Sequence, residues 1–436
     1  MIKNIIHKIM LVTFTAMATA HLAAQERLSI DNAISIALKN NFDILVAGKT
    51  AEISKTNNTP GNAGMLPTVD LMVTGGLELN NQYQKLSSGT ENKYPDLRTS
   101  ALSAGMQLNW TLFDGGKMFI TRNKLREMEQ LGEVEFRQKV LQVLYNIIGA
   151  YYDVVRQKQQ LVSIRESQSY NREQVKIAEA AFNSGSVAKT DLLQARIDLN
   201  IADENIIAQQ YTIDAALKNF NTLLGKNSET TYDINDSIFV SYIPDKEQLL
   251  TKINTANQDV LALQHQINIA EMALKETRSA YMPNLNVKAG YYASITDNST
   301  GSTLYNRTLG PQVSGTLSVP LYNAGETKRK TTLAKIETET ARYDLDRLKL
   351  QLSTELQNTI NDFGNQQALL NIETDNNRLA RENLEISIQR FRQGQTTSLE
   401  VHQAQEYFVQ SSTRLINFRY NLKLAETRLK QMVSEL

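Results

Sequence analysis

The chain has 436 residues with 46 basic and 46 acidic side chains, 41% hydrophobic residues, four histidines, one tryptophan and no cysteine. Without cysteine there are no disulfides, thiol nucleophiles or thiolate metal sites, and the balanced charge argues against nonspecific nucleic-acid binding, which needs a basic face. A mean hydropathy of −0.36 is too polar for a multi-helix membrane transporter, because each spanning helix needs about 20 apolar residues.

Residues 1–24 open with Lys3, His7 and Lys8, run through the apolar stretch Ile9 to Ala18, and reach the small pair Ala23-Ala24 before Gln25. That order is the order of a cleavable secretory signal peptide, and the apolar run is too short for a spanning anchor. Its removal leaves a net charge of −2 and two histidines, His265 and His402. With no cysteine at the cleavage point, a lipid anchor there is excluded.

The rest of the chain reads as two similar halves, 25–225 and 246–436, joined by 226–245, which is low in periodic signal and contains Pro244. Leu112-Phe113-Asp114-Gly115-Gly116 is echoed by Leu321-Tyr322-Asn323-Ala324-Gly325, and Phe182-Asn183-Ser184-Gly185 by Phe391-Arg392-Gln393-Gly394, both at an offset of 209. Upstream, Leu66-Pro67 pairs with Met282-Pro283 and Asn41-Phe42 with Asn257-Gln258, at 216. A constant period of this kind marks a duplicated structural unit.

In each half the order of predicted elements is helix, β-hairpin, long helix, helix. The first hairpin is expected over 66–112. Val69, Leu71, Val73, Leu77 and Leu79 alternate with polar residues, then Leu102, Ala104, Met106, Leu108, Trp110 and Leu112 do the same. The second hairpin is expected over 283–321, with strands at 285–296 and 308–321. Period-two alternation gives strands with one apolar and one wet face, either a soluble sheet on a core or part of a membrane barrel. Their length favours the barrel, since a spanning strand takes about 9–11 residues.

Long helices are expected at 116–182 and 325–391, because none of the seven prolines falls in 96–243 or 321–436 and an interior proline costs about 3 kcal/mol. At 1.5 Å per residue each is a rod of about 100 Å. Helices at 187–225 and 396–435 follow, with Leu192, Leu199, Ile206, Ile213 and Phe220, and Val401, Phe408, Leu415, Leu422 and Leu429, at seven-residue spacing. Val134, Leu141, Ile148, Val155 and Val162 repeat this in the first long helix. Heptads of this kind form coiled-coil seams. A plain antiparallel hairpin would explain the heptads but not the strands.

Four strands do not close a membrane barrel, which starts at about eight, and an open edge in lipid leaves backbone groups unpaired at several kcal/mol each. The chain is therefore expected to oligomerise: two copies give eight strands and a plugged interior, three give twelve and a lumen.

Leu28-Ser29-Ile30-Asp31-Asn32-Ala33-Ile34, Leu66-Pro67, Met282-Pro283, Trp110 to Gly116 with its echo at 319–325, both glycine turns and Leu223-Leu224-Gly225 together resemble the TolC-like outer-membrane efflux channels. The fold class that this resemblance implies is mainly α with membrane β: a trimeric twelve-stranded barrel continued by an α-helical periplasmic tunnel. It also implies a homotrimer in contact with outer-membrane lipid, docked through a periplasmic adaptor (membrane fusion) protein onto an inner-membrane pump of RND, ABC or MFS type. Small toxic molecules or secreted proteins would leave through it. By the same resemblance, 226–245 is the connection at the tunnel's waist. A trimeric coiled-coil adhesin is the alternative of another class.

No nucleophile–base constellation, cofactor motif or nucleic-acid motif is readable, and Gly115-Gly116 lacks the GxxxxGK[ST] pattern of a phosphate loop. Catalytic activity, a cofactor and a bound metal are therefore not expected. Pro67, Gly115, Gly116, Pro283, Pro320 and Gly325 are expected at the joint of barrel and tunnel, with Asp114 and Asn323 as N-caps of the long helices. Gly185, Ser186, Gly394 and Gln395 belong to the tip turns, which the resemblance makes the adaptor-docking surface. It also places the periplasmic gate and constriction at Asp191, Thr396, Glu400 and Gln403. The family has a basic residue where Thr396 stands and a second acid where Gln403 stands. Asp191 and Glu400 can equally be ordinary first-turn acids favoured by the helix dipole.

Overall fold

The structure is a computed structural model that describes residues 28–234 and 237–436. The expected signal peptide, 1–24, lies outside the described residues. Helices α1 (Ile30–Asn40) and α2 (Phe42–Asn57) lead to strands β1 (Thr68–Lys85) and β2 (Glu91–Asp114), then to α3 (Lys117–Asn183) and α4 (Lys189–Leu223). The second half repeats this with α5 (Lys246–Ala256), α6 (Gln258–Ser279), β3 (Asn284–Asn298), β4 (Tyr305–Ser318), α7 (Glu326–Arg392) and α8 (Ser398–Met432). Helices α3 and α7 have 67 residues each. The residues form two compact units. One holds the chain through Gly48, Phe136–Gln258 and Lys349–Leu436; the other holds Lys49–Glu135 and Asp259–Leu348.

The second unit contains an antiparallel sheet in the order β1-β2-β3-β4. Its register makes the two faces chemically different. Leu71 pairs with Met106, Met106 with Tyr291 and Tyr291 with Pro311; Val69, Leu108, Ala289 and Val313 form a parallel row. On the other face Thr74, Ser103, Ser294 and Thr308 are matched across all four strands. Leu71, Val73, Met106, Tyr291 and Val313 are all exposed. β1 and β4 each pair on one side only. Pro311, which has no N–H to donate, lies on β4, which pairs on one side only within the chain.

Three details depart from the sequence pattern. Leu112 does not continue the apolar row: a register shift between Thr111 and Phe113 leaves it unpaired, and Phe113 stands opposite Leu285 instead. β4 stops at Ser318, so Val319 and Leu321 are not strand residues; Pro320 has no N–H to continue the ladder. The stretches before both hairpins are each broken into two helices, at Asn41 (ψ 124°) and Asn257 (ψ 126°).

The break at Asn41 has a tertiary cause. Its Oδ1 accepts from Ile44 N–H at 3.1 Å and so caps α2, while its Nδ2 donates 2.7 Å to the Leu223 carbonyl at the end of α4. Two helix ends that would each leave orphan groups are satisfied by one amide. Asn257 repeats the second bond with the Met432 carbonyl at 2.8 Å, so the duplication extends to individual contacts.

The first unit's core gathers around Tyr151, whose hydroxyl donates 3.1 Å to the Leu28 carbonyl and whose ring meets Phe220 edge-on at 5.9 Å. Phe220, Leu224, Val154 and Ile147 are buried beside it. Along α8 the expected seam is buried throughout, from Val401 and Ala404 through Phe408, Leu415 and Leu422 to Leu429. In α3 it is not: Val155 is buried, but Val162 is 64% exposed and its neighbour Ser163 is buried instead. A straight helix drifts about 20° per heptad, so one seven-residue set does not stay inward along 67 residues.

Candidate functional site

Both long helices end in the same turn. Gly185 has φ +75° and Gly394 φ +68°, the left-handed conformation that glycine adopts without a Cβ penalty. Ser186 N–H donates to the Ala181 carbonyl at 2.8 Å and Gly185 N–H to Phe182 at 2.9 Å; Gln395 N–H donates to Arg390 at 2.9 Å and Gly394 N–H to Phe391 at 3.0 Å. Each pair is a Schellman motif, which stops one helix and reverses the chain into the next. Helix α4 then starts at Lys189, with Ala188 as an N-cap that offers no side-chain hydrogen bond. Helix α8 starts better capped, with the Thr397 hydroxyl accepting from Glu400 N–H.

Of the expected gate residues, the structure brings Thr396 and Glu400 together, the threonine hydroxyl donating to the Glu400 carboxylate. Arg390 adds a cation 3.9 Å from the same carboxylate. Arg390 is the residue that sequence reasoning missed; its position one turn before Gly394 was the available signal. Gln403 is exposed one turn further along α8. Asp191 lies half-buried in the first turn of α4, with its N–H donating to the Ala188 carbonyl at 3.1 Å.

Each tip hairpin is tied to the other by side chains above the turns. Arg381 of α7 makes a two-pronged ion pair with Glu166 of α3, and that bond raises the guanidinium's pKa above its ordinary value. Arg392 reaches Glu173 at 3.2 Å. The buried Gln405 amide of α8 donates to Ser167 at 3.2 Å (carbonyl) and 2.7 Å (hydroxyl). Tyr170 meets Phe408 edge-on at 6.5 Å, and burial pushes its phenol pKa upward.

In the other unit, the residues expected at the joint all stand at strand–helix junctions. Pro67 precedes β1, Pro283 precedes β3 and Pro320 follows β4. Gly115 and Gly116, at φ +72° and +80°, fill the step from β2 to α3, and Gly325, at φ +76°, precedes α7. A Cβ on Gly115 would lie 2.5 Å from the Ser279 carbonyl. Asp114 caps α3, its carboxylate accepting from Met118 N–H at 2.9 Å. Asn323 does not cap α7 with its side chain: its amide donates to the Thr327 hydroxyl. The single tryptophan, Trp110, donates 3.1 Å to the Met65 carbonyl beside Pro67.

Paired β-hairpins and paired 67-residue helices, repeated once and joined through proline–glycine junctions, define the class of protein built as a TolC-like channel protomer. The chain belongs to the outer membrane efflux protein family, whose pattern it matches over residues 33–226 and 249–435. It is an outer-membrane protein, and the family match across both halves sets aside the adhesin alternative. Among curated relatives, the alkaline protease secretion protein AprF of Pseudomonas aeruginosa is 26% identical over 71% of this chain. That match spans 64% of AprF's own length. The outer membrane protein TolC of Vibrio cholerae is 20% identical over 92% of this chain and 89% of its own. Among solved structures, the Campylobacter jejuni CmeC outer membrane channel superposes with a TM-score of 0.78 at 15% identity, over 93% of this chain and 85% of CmeC.

Proposed function

We propose that three copies of this chain close a twelve-stranded barrel in the outer membrane and continue it as a helical tunnel. The result is a passive exit duct for small toxic molecules or secreted proteins. The observation that carries this reading is the four-stranded sheet, apolar on one face and polar on the other, with one open side each on β1 and β4. In lipid those edges cost several kcal/mol per unpaired group. Because the strands alternate in direction, β4 of one copy meets β1 of the next antiparallel, and a closed ring of copies removes every edge. Within the duct's plan the segment 226–245 is the connection at its waist, and residues 1–24 are the cleaved export signal. The tip turns at Gly185-Ser186 and Gly394-Gln395 face a periplasmic adaptor protein, which links the duct to an inner-membrane pump of the RND, ABC or MFS type.

In this duct Asp191, Thr396, Glu400 and Gln403 surround the periplasmic mouth. Three copies of Glu400 make a ring of negative charge that concentrates cations, and Arg390 beside each one moderates it. In planar bilayers, Glu400→Ala should lower the cation-over-anion permeability ratio about twofold or more, by removing that ring, and should change single-channel conductance. A conducting trimer with unchanged selectivity and conductance would overturn the gate assignment.

A further inference from the structure

Helices α3, α4 and α8 border a cavity of about 210 Å³ between the two tip hairpins. Three of its lining side chains, Asn171, Asp198 and Gln405, one from each helix, are more than nine-tenths buried. Each carries an oxygen that accepts no hydrogen bond. The amide ends are spoken for: Asn171 Nδ2 donates 3.0 Å to the Asp198 carbonyl and Gln405 Nε2 donates 2.7 Å to the Ser167 hydroxyl. The oxygens are therefore the ends left for the cavity. Asp198 Oδ1 accepts from Gln194 at 2.9 Å, which leaves its Oδ2 over. His402 Nδ1 approaches that oxygen to 3.4 Å without hydrogen bonding to it. Among the described residues no lysine or arginine lines the cavity, and the exposed Glu406 adds a second carboxylate.

We propose that this cavity is a calcium site, with Asp198 Oδ2, Asn171 Oδ1 and Gln405 Oε1 as its protein ligands and water completing the shell. A buried acceptor without a donor is costly, and a buried carboxylate without a compensating charge more so. Water fills a space of this size and satisfies acceptors, but it leaves the charge of Asp198 uncompensated. A hard cation answers both needs at once. Calcium takes six to eight oxygens at about 2.3–2.6 Å in flexible geometry, amide oxygens included, whereas magnesium demands a near-ideal octahedron at about 2.0–2.1 Å. The three ligands come from three helices, and two of them are amides, so no spacing motif announces the site. Clusters of three or more acidic, histidine or cysteine side chains are absent among the described residues. An ion held here joins α3 and α4 of one tip hairpin to α8 of the other. Every ligand belongs to one chain, so the site stands whether or not the copies form a duct.

The test is titration calorimetry with calcium chloride on the full-length protein in detergent, freed of metal by a chelator and dialysed. One ion per chain should bind with a Kd of about 0.1–1 mM, the range of weak extracellular sites. Calcium at about 10 mM should raise the thermal midpoint by about 2 °C or more. Asp198→Asn keeps the shape and removes the charge; it should weaken binding tenfold or more and abolish the calcium-dependent rise. Without calcium the same variant should unfold no earlier than the parent, because it no longer buries an uncompensated carboxylate. Gln405→Met, which takes away only a neutral ligand, should weaken binding several-fold and decides the matter should Asp198→Asn fail to fold. Glu400→Ala should leave the affinity unchanged, which separates this site from the acids at the mouth. No binding to the folded parent up to about 10 mM calcium, binding that survives Asp198→Asn at full strength, or binding lost in Glu400→Ala would each overturn the site.

Discussion

Gly225→Ala should destabilise the protein by about 3–5 kcal/mol, among the largest single-residue effects available outside the apolar core. Gly225 ends α4 at φ +66°, with its N–H donating to the Thr222 carbonyl at 3.1 Å and Lys226 N–H donating to Asn221 at 3.0 Å. An added Cβ would lie 2.2 Å from the Asn40 carbonyl oxygen and 2.7 Å from its carbon. Both are backbone atoms at the end of α1, held next to the Asn41–Leu223 hydrogen bond, so nothing nearby can swing aside. The left-handed conformation alone costs about 1–2 kcal/mol for an L-residue, and the backbone collision supplies the remainder. Gly185→Ala is the matched control: its φ is equally positive, but nothing lies within 4 Å of its Cβ, and it should lose only about 1–2 kcal/mol. Ser434, one repeat later, has φ +61° with a side chain in place, its hydroxyl donating 3.0 Å to the Ala256 carbonyl. Thermal unfolding in detergent, compared between the two variants and the parent protein, checks the prediction. Equal losses for Gly225→Ala and Gly185→Ala would show that the contact with Asn40 does not matter.

Met106→Arg should nearly abolish folded, membrane-inserted protein, while Ser103→Arg should leave most of it intact. Met106 is central to the apolar row, between Leu71 and Tyr291, and exposed in the single chain. An arginine at the midplane of a lipid-facing wall costs about 2–4 kcal/mol, multiplied threefold in a trimer. Ser103 stands between Thr74 and Ser294 on the wet face, where an arginine keeps its hydration. The measurement is the amount of each variant recovered from purified outer membranes. Similar recovery of both would mean that the two faces do not see different solvents.

Much of this architecture is legible in the sequence because it is written in punctuation and period. Prolines absent from the long helices, glycines at reversals and two-residue alternation each have a local cause, and each leaves its mark on neighbouring residues. What is not legible depends on partners distant in the chain. No residue near Asn41 breaks a helix by itself; the break is fixed by the Leu223 carbonyl, 182 positions away. The pairing of His402 with Asp198 is invisible for the same reason, since each alone is an ordinary polar residue on a helix. The bulge at Leu112 leaves the alternation of letters intact while changing which residue keeps the row. Asp114 and Asn323 occupy matching places in the repeat, yet they make different bonds.

The proposed duct requires that a single chain leave its sheet unfinished and that copies of itself complete it. Multi-angle light scattering of the mature protein, extracted from outer membranes in mild detergent and corrected for the micelle, tests this directly. One species with the mass of three chains is expected. A monodisperse single chain, stable in detergent with β1 and β4 unpaired, would contradict it.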